Sequence, residues 1–280
     1  MAASAGEADE IRTTQGMGIT PPFGYAELHP LQKSDRVLVP QGATPDFCRT
    51  VNAIALSYGE LAMASRDYPI VFAASRAPGE APDAPLSIYA PVAVLGLADK
   101  QNLYVSDQGE WEPGVYVPAF IRRYPFCVAR VLEDGGERDQ RVVCVERAYV
   151  DREGVALYDA DGKATPQWRA YEQLLQEYEA DLDRTAQMCS ALTKLDLFAP
   201  FEFQVLDGSS PALTLQGMHR IDEQKLADLK APSHKALVTK GFMGRIYAHL
   251  HSLENFARLY ARAVGRAQAM EKRRREGIHR

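Results

Sequence analysis

The order of hydrophobic patterns along the chain is the feature that most restricts its fold. Before residue 165 the apolar residues occur in short runs typical of strands, for example at residues 70–72 and 87–97. Thr165 and Pro166 then predict a helix start, because threonine caps the first turn and proline fits its first position. Helical spacing of apolar residues continues to about Leu195. We therefore predict an α+β fold, with a β-rich N-terminal half of mainly antiparallel sheet and a helix-rich C-terminal half.

Paired strands are predicted at three places, where turn residues separate short apolar runs. The predicted pairs join residues 103–105 with 115–117, 126–132 with 141–146, and 201–206 with 212–218. A short helix capped by Asp222 and one final helix from about Gly244 are predicted after the last pair.

Composition divides the chain into an arm, a body and a tail. Residues 1–33 are rich in small and polar residues and predict a flexible arm, which precedes a single α+β domain at residues 34–264. Residues 265–280 form a basic tail. Eight Lys or Arg lie between residues 258 and 280 against two Glu, a local charge of +6, which leaves −11 on the preceding residues. We expect the tail to be a solvated helix end, and the alternative is docking on nucleic acid or membrane.

Composition also excludes several classes of protein. The net charge of −5 gives no general attraction to nucleic acid, so we expect no nucleic-acid partner. The four cysteines are widely spaced, which indicates free thiols rather than a disulfide framework or a zinc site. The first residues lack a secretory signal and no apolar run is long enough to span a bilayer, so we expect a soluble cytoplasmic protein. Nucleotide and nucleophile-elbow motifs are absent, and we predict no cofactor.

Residues 102–128 are the segment with the highest density of aromatic residues, and they contain the adjacent pair Arg122 and Arg123. An arginine fork suits carboxylate groups, so one interpretation is a recognition cluster of Trp111, both arginines and Tyr124 that holds an anionic group or a peptide. The alternative is that the arginines pair with acids of the body while the aromatic rings pack.

Two further places are candidates for chemistry. Arg66, Asp67 and Tyr68 set a charged pair beside a phenol, and Asp67 is a candidate general base if a proton-bearing group lies within reach. Local capping and packing is the alternative for this segment. His249 and His251 are the best place to look for a metal, but residues two apart on a helix do not share a face. The zinc-helix pattern HExxH is also absent, so we predict no metal site.

Four segments, taken in order, resemble the SapC-like family, whose name comes from proteins associated with surface-layer export in bacteria. They are RDYPIVF (66–72), PVAVLGL (91–97), NLYV with the following GEW and YVPAFIRRYPF (102–126), and IYAHLHSLENFARL (246–259). The resemblance runs from about residue 37 to residue 264. It implies an accessory or binding protein that assists export of a surface-layer protein or handles a peptide or small molecule. It supplies no catalytic residue to carry over, and it leaves the oligomeric state and the choice between a protein, a peptide and an anionic small molecule as partner open.

The rival interpretation is an enzyme that acts on a peptide or small molecule. It requires Asp67, Tyr68, Arg123 or His249 to converge on one cleft. The binding interpretation makes a different prediction: replacing Arg122 and Arg123 with alanine weakens partner capture and leaves thermal stability nearly unchanged.

Overall fold

The computed structural model describes residues 21–40, 42, 44–81, 83–133, 136–207 and 210–278. The chain separates into two compact units, each made of two segments. Unit 1 comprises Met1–Ala43 and Arg123–Glu179, and unit 2 comprises Thr44–Arg122 and Ala180–Arg280. The single domain expected over residues 34–264 stays a prediction.

The described residues form ten strands and seven α-helices. The strands are β1 (Leu28–Pro30), β2 (Arg36–Val37), β3 (Ala53–Ala55), β4 (Ile70–Ser75), β5 (Ile88–Val94), β6 (Phe126–Glu133), β7 (Gly136–Glu146), β8 (Val155–Ala156), β9 (Phe198–Asp207) and β10 (Ser210–Ile221). The helices are α1 (Leu61–Ala64), α2 (Ala119–Arg122), α3 (Pro166–Lys194), α4 (Glu223–Ala227), α5 (Ala231–Thr239), α6 (Met243–Ser252) and α7 (Asn255–Ile278).

Unit 1 contains a three-stranded antiparallel sheet in the order β1-β7-β6 and the separate pair β2-β8. The first part of α3 belongs to this unit, and there the Trp168 ring packs 4.9 Å from the Phe126 ring. The predicted pairing of β6 with β7 is confirmed, and so is the helix that begins at Pro166. Strand β1 falls within the segment predicted as an arm, whose residues 1–20 lie outside the described residues.

Unit 2 contains a five-stranded antiparallel sheet in the order β3-β5-β4-β10-β9. The predicted strands at residues 70–72 and 87–97 are confirmed as β4 and β5, and the predicted third pair is confirmed as the β9–β10 hairpin. Asp222 caps α4 as predicted, because its side chain accepts a hydrogen bond from the Lys225 amide. The α+β fold class, with sheets mostly in the first half and helices in the second, is confirmed.

The hairpin predicted between residues 103–105 and 115–117 is wrong. Residues 103–104 form a turn, residues 115–117 lie outside any strand, and one isolated bridge joins Val105 to Trp111. The reason is that distant side chains satisfy their backbone groups: Arg266 donates to the Val105 carbonyl, and Asp67 accepts from the Tyr116 amide. A strand partner is therefore not needed there.

The single final helix predicted from about Gly244 is also wrong, because α6 and α7 are separated at residues 253–254. Two side chains that flank the break bind backbone groups elsewhere in unit 2. Ser252 Oγ accepts from the Ile70 amide at 2.9 Å, and Asn255 Nδ2 donates to the Tyr68 carbonyl at 3.0 Å. Among the described helices, none has both the length and the apolar composition that a membrane crossing requires.

Candidate functional site

Arg122 lies at the end of α2 in unit 2 and is exposed to solvent. Its Nε donates to the Val117 carbonyl at 3.0 Å, and its Nη2 donates to the Tyr116 hydroxyl at 3.0 Å. The guanidinium also lies over the Tyr116 ring, 5.6 Å from the centroid. Arg122 is therefore a surface cation whose direction is fixed by its own segment of the chain.

Arg123 begins the second segment of unit 1 and is only 4% exposed. Its guanidinium lies over two tyrosine rings, 4.7 Å from the centroid of Tyr178 and 5.9 Å from that of Tyr25. Burial raises the pKa of the Tyr25 hydroxyl, and the charge of Arg123 opposes that increase. Tyr124 is half-buried and packs 5.0 Å from the Tyr25 ring. Of these two members of the predicted recognition cluster, Arg123 therefore lies in the packed interior of unit 1, and Tyr124 packs against it while half-buried.

The carbonyl groups that follow α1 are bound by side chains from α7. Asn255 Nδ2 donates to the carbonyls of Ser65 and Tyr68, at 2.8 and 3.0 Å. Arg258 Nη1 donates to the carbonyl of Arg66 at 2.8 Å, while the Arg66 side chain is exposed. Unpaired carbonyls at a helix end need such partners, so this segment fixes α7 against the end of α1.

Asp67 and Tyr68 connect the end of α1 to residues 104–116. Asp67 Oδ2 accepts from the Tyr116 amide at 2.9 Å, and the Asp67 carbonyl accepts from the Tyr104 hydroxyl at 2.9 Å. The Tyr68 hydroxyl donates to the Tyr116 carbonyl. Tyr68 is fully buried, and burial raises the pKa of its hydroxyl. Both residues therefore brace a loop, in agreement with the capping and packing alternative.

Glu60 is a buried carboxylate that the sequence interpretation missed. Its Oε2 accepts from the Ser57 amide at 2.9 Å and from the Ser57 hydroxyl at 2.7 Å. Its Oε1 accepts from the Tyr116 hydroxyl at 3.1 Å and from the Ala119 amide at the start of α2. The serine-x-x-glutamate spacing of a capping box was the signal that could have revealed it.

His249 is a core residue of unit 2 with no exposed surface. Its Nδ1 lies 2.8 Å from the Ile70 carbonyl and therefore donates, while Nε2 accepts from the Ile221 amide at 3.1 Å. Burial lowers the pKa of the imidazole to about 4, so the ring is neutral at pH 7. Both imidazole nitrogens are therefore hydrogen-bonded to the backbone of strands β4 and β10. The described residues contain no group of three His, Cys, Asp or Glu that could hold a metal ion.

A cavity of about 340 Å³ opens in unit 2 between residues 103–113 and α7. Its walls combine aromatic rings with charges of both signs: Tyr104, Trp111, Glu110, Glu112, Arg262 and Arg266. Trp111, a member of the predicted cluster, lines this cavity, and Arg122 is not among its lining residues. The Trp111 indole N–H is buried, and it opposes the larger, burial-driven increase in the pKa of the Tyr68 hydroxyl.

Arg262 forms a two-point ion pair with Glu112 at the cavity wall. Both terminal nitrogens of Arg262 reach the Glu112 carboxylate, and Nη2 lies 3.1 Å from Oε1. The guanidinium also lies 4.6 Å from the centroid of the Tyr104 ring. Hydrogen bonding to Glu112 raises the pKa of Arg262. This arrangement places an arginine fork with a defined orientation beside an aromatic wall.

Arg266, one turn further along α7, has different partners. Its Nη1 donates to the Asn102 carbonyl at 2.6 Å, and its Nη2 donates to the Val105 carbonyl at 2.8 Å. Asp107 accepts from both Arg266 and Arg273, and these two hydrogen bonds lower the pKa of Asp107. The start of the predicted solvated tail is therefore fixed to the loop. Arginines spaced four apart on a helix face were the signal that could have indicated this contact.

Comparison with known proteins gives one positive result. A family model described as SapC matches residues 35–259 of the 280-residue chain. No curated protein and no solved structure matches the chain. The matched region includes Trp111 and Glu112 and ends before Arg262 and Arg266. Because the match covers most of the sequence and contains every segment on which the resemblance was based, the chain belongs to the SapC family.

Proposed function

We propose that this chain is an accessory binding protein that holds a peptide segment or a small molecule with an anionic group in the cavity beside Trp111. In this role it would assist the handling or export of a surface protein. The sequence-based expectations of a soluble, cytoplasmic protein without an activity of its own belong to this proposal. The observation that supports it is the composition of the cavity wall, where Trp111 and Tyr104 lie beside Arg262.

The wall chemistry suits binding of a group with an apolar part and a negative charge. Binding sites are mostly apolar and aromatic, with a few polar groups that fix the ligand's orientation. Tryptophan, tyrosine and arginine are also the residues that contribute most to binding energy at interfaces. Trp111 supplies an aromatic side chain at the wall, and Arg262, which lies over the buried Tyr104 ring, supplies the cation.

The surroundings of the acid–base candidates favour binding over catalysis. Asp67 Oδ2 is engaged by a backbone amide, and both nitrogens of His249 are engaged by strand backbone. Tyr68 is buried with its hydroxyl on the Tyr116 carbonyl. In this proposal Trp111 and the exposed Arg122 remain recognition residues, whereas Arg123 has a structural role in unit 1.

The test uses the purified full-length chain and a library of random short peptides, with bound members identified by native mass spectrometry. We expect one peptide per chain, and Trp111→Ala should reduce retention by at least about tenfold. Tyr247→Ala removes an exposed aromatic residue of α6 outside the cavity and is the matched control. Equal retention by the Trp111→Ala variant, or no retention by the unaltered chain, would contradict the proposal.

A further inference from the structure

The Glu112–Arg262 pair has the properties of an exchangeable contact. The two side chains are 42% and 29% exposed, so water reaches both. Exposed ion pairs contribute little net stability, because each charge is also well solvated when apart. A second carboxylate arriving from solvent can therefore replace Glu112 at small cost.

Each partner of the pair is held in place by a contact that does not depend on the other. The Glu112 backbone amide donates to the Tyr104 carbonyl at 2.9 Å, so the loop stays anchored if the Glu112 side chain turns away. The Arg262 guanidinium lies over the Tyr104 ring, which attracts the cation whether or not Glu112 is present. When the ion pair breaks, the Arg262 guanidinium therefore stays in place, with N–H donors that are no longer used.

Arg266 does not have this property. Its donors bind the main-chain carbonyls of Asn102 and Val105, which cannot move aside without unfolding the loop. The two cavity arginines therefore differ in role: Arg266 fixes the loop to α7, and Arg262 holds a side chain that a ligand can displace.

The geometry points to a carboxylate as the group that the cavity takes. The fork already holds a carboxylate at two points, a geometry that a planar acid reproduces. Glu110 and Glu112 both line the cavity, and their charges oppose a doubly charged phosphate more than a singly charged acid. Trp111 lines the same cavity as Arg262 and can provide a flat surface for an apolar group of the acid.

Resting on the proposed function, we propose that the ligand is an acid with an adjacent apolar side chain, such as the C-terminal residue of a peptide. Its carboxylate replaces Glu112 on Arg262, and its apolar group packs on Trp111. Glu112 then competes with the ligand: it binds the Arg262 guanidinium in the unliganded protein and so lowers the affinity for the ligand.

The test uses two probe pairs, each differing only in the terminal group. N-acetyl-leucine is compared with N-acetyl-leucinamide, and acetyl-Ala-Ala-Leu with its amide. Trp168→Phe leaves Trp111 as the sole tryptophan reporter, since the chain has two tryptophans. Calorimetric titration of the chain with both tryptophans repeats the comparison without that change.

We expect the acids to bind at least about tenfold more tightly than the amides. A tighter tripeptide acid identifies a peptide end as the source, and equal affinity of the two acids identifies a small acid. Glu112→Gln should strengthen acid binding by about two- to fivefold, because the competitor is removed. Glu110→Gln, on the same cavity wall but outside the pair, should change it less. Arg262→Lys keeps the charge, loses the fork and should weaken binding.

The outcomes separate the inference from the function on which it rests. If acids and amides bind equally and Trp111→Ala weakens both, the carboxylate exchange is wrong and the binding function stands. If Glu112→Gln does not strengthen acid binding, the exchange is also wrong. If neither the probes nor the peptide library binds, both proposals are wrong.

Discussion

Two groups of arginines, the pair at residues 122–123 and the arginine row of α7 (Arg262 and Arg266), have environments opposite to those that their sequences predict. The pair lies in the most aromatic segment and predicts recognition, yet Arg123 is buried among the tyrosine rings of unit 1. The row lies in a basic helix and predicts a solvated end, yet Arg262 lines a cavity and Arg266 binds loop carbonyls. The difference teaches that the partners an arginine meets in the fold decide its environment, and the density of aromatic residues around it in the sequence does not.

The largest effect is expected from Arg123→Ala. The change removes a buried guanidinium and its packing on Tyr25 and Tyr178, which should lower the free energy of unfolding by about 2–4 kcal/mol. Urea unfolding measures the loss. The sequence-based expectation for the double alanine replacement was a nearly unchanged stability, and the buried position of Arg123 now leads us to expect a large loss. A loss below about 0.5 kcal/mol would place Arg123 with the surface arginines instead.

His249 makes the stability depend on pH. Its folded-state pKa of about 4 lies below the ordinary value of about 6.5, so the unfolded chain binds a proton that the folded chain does not. Stability should therefore fall as the pH decreases from about 6.5 to about 4, by about 3 kcal/mol. His249→Asn is expected to be less stable at pH 7 and to lack this part of the pH dependence. Parallel stability curves for the two proteins would show that the imidazole titrates normally when folded.

Arg266→Ala tests whether this arginine of α7 stabilises the loop that contains Asn102 and Val105. The change removes charge-assisted hydrogen bonds to the carbonyls of Asn102 and Val105, which should cost about 1.5–3 kcal/mol. Increased hydrogen exchange at residues 102–107 should accompany the loss of stability. Arg274→Ala, at an exposed position of the same helix, is the matched control and should cost less than about 0.5 kcal/mol. Equal effects of the two changes would mean that the loop does not depend on α7.

The smallest effect on stability is expected from Arg122→Ala. This arginine is exposed, and its hydrogen bonds to Val117 and Tyr116 lie at the surface. The free energy of unfolding, measured by thermal unfolding, should change by less than about 0.5 kcal/mol, which is typical of exposed positions. Partner capture by the same variant tests whether Arg122 recognises a ligand, because Arg122 remains a recognition residue in the proposal. A stability loss as large as that of Arg123→Ala would remove the contrast between the two neighbours.

Elements with local signals could be predicted from the sequence. The helix start at Pro166, the β9–β10 hairpin and strands β4 and β5 each depend on spacing and turn residues within a short window. Residues 102–117 could not be predicted in this way, because their polar groups are satisfied by partners as remote as Arg266. For the same reason the sequence did not predict the cavity, although Trp111, one of its lining residues, was among the predicted recognition residues. Nor can adjacency alone indicate which of two arginines is buried, since the division between the two compact units falls between them.

The central claim, that the cavity beside Trp111 binds a ligand, can be tested most directly by NMR of the two indole N–H groups in the full-length chain. Trp168→Phe assigns the two signals, because it removes one of them. On titration with acetyl-Ala-Ala-Leu, we predict a saturable shift of the Trp111 signal. The Trp168 signal should stay in place, because that side chain is buried in unit 1 with its N–H on the Tyr158 hydroxyl. An unchanged Trp111 signal at saturating peptide, or equal shifts of both signals, would contradict the account.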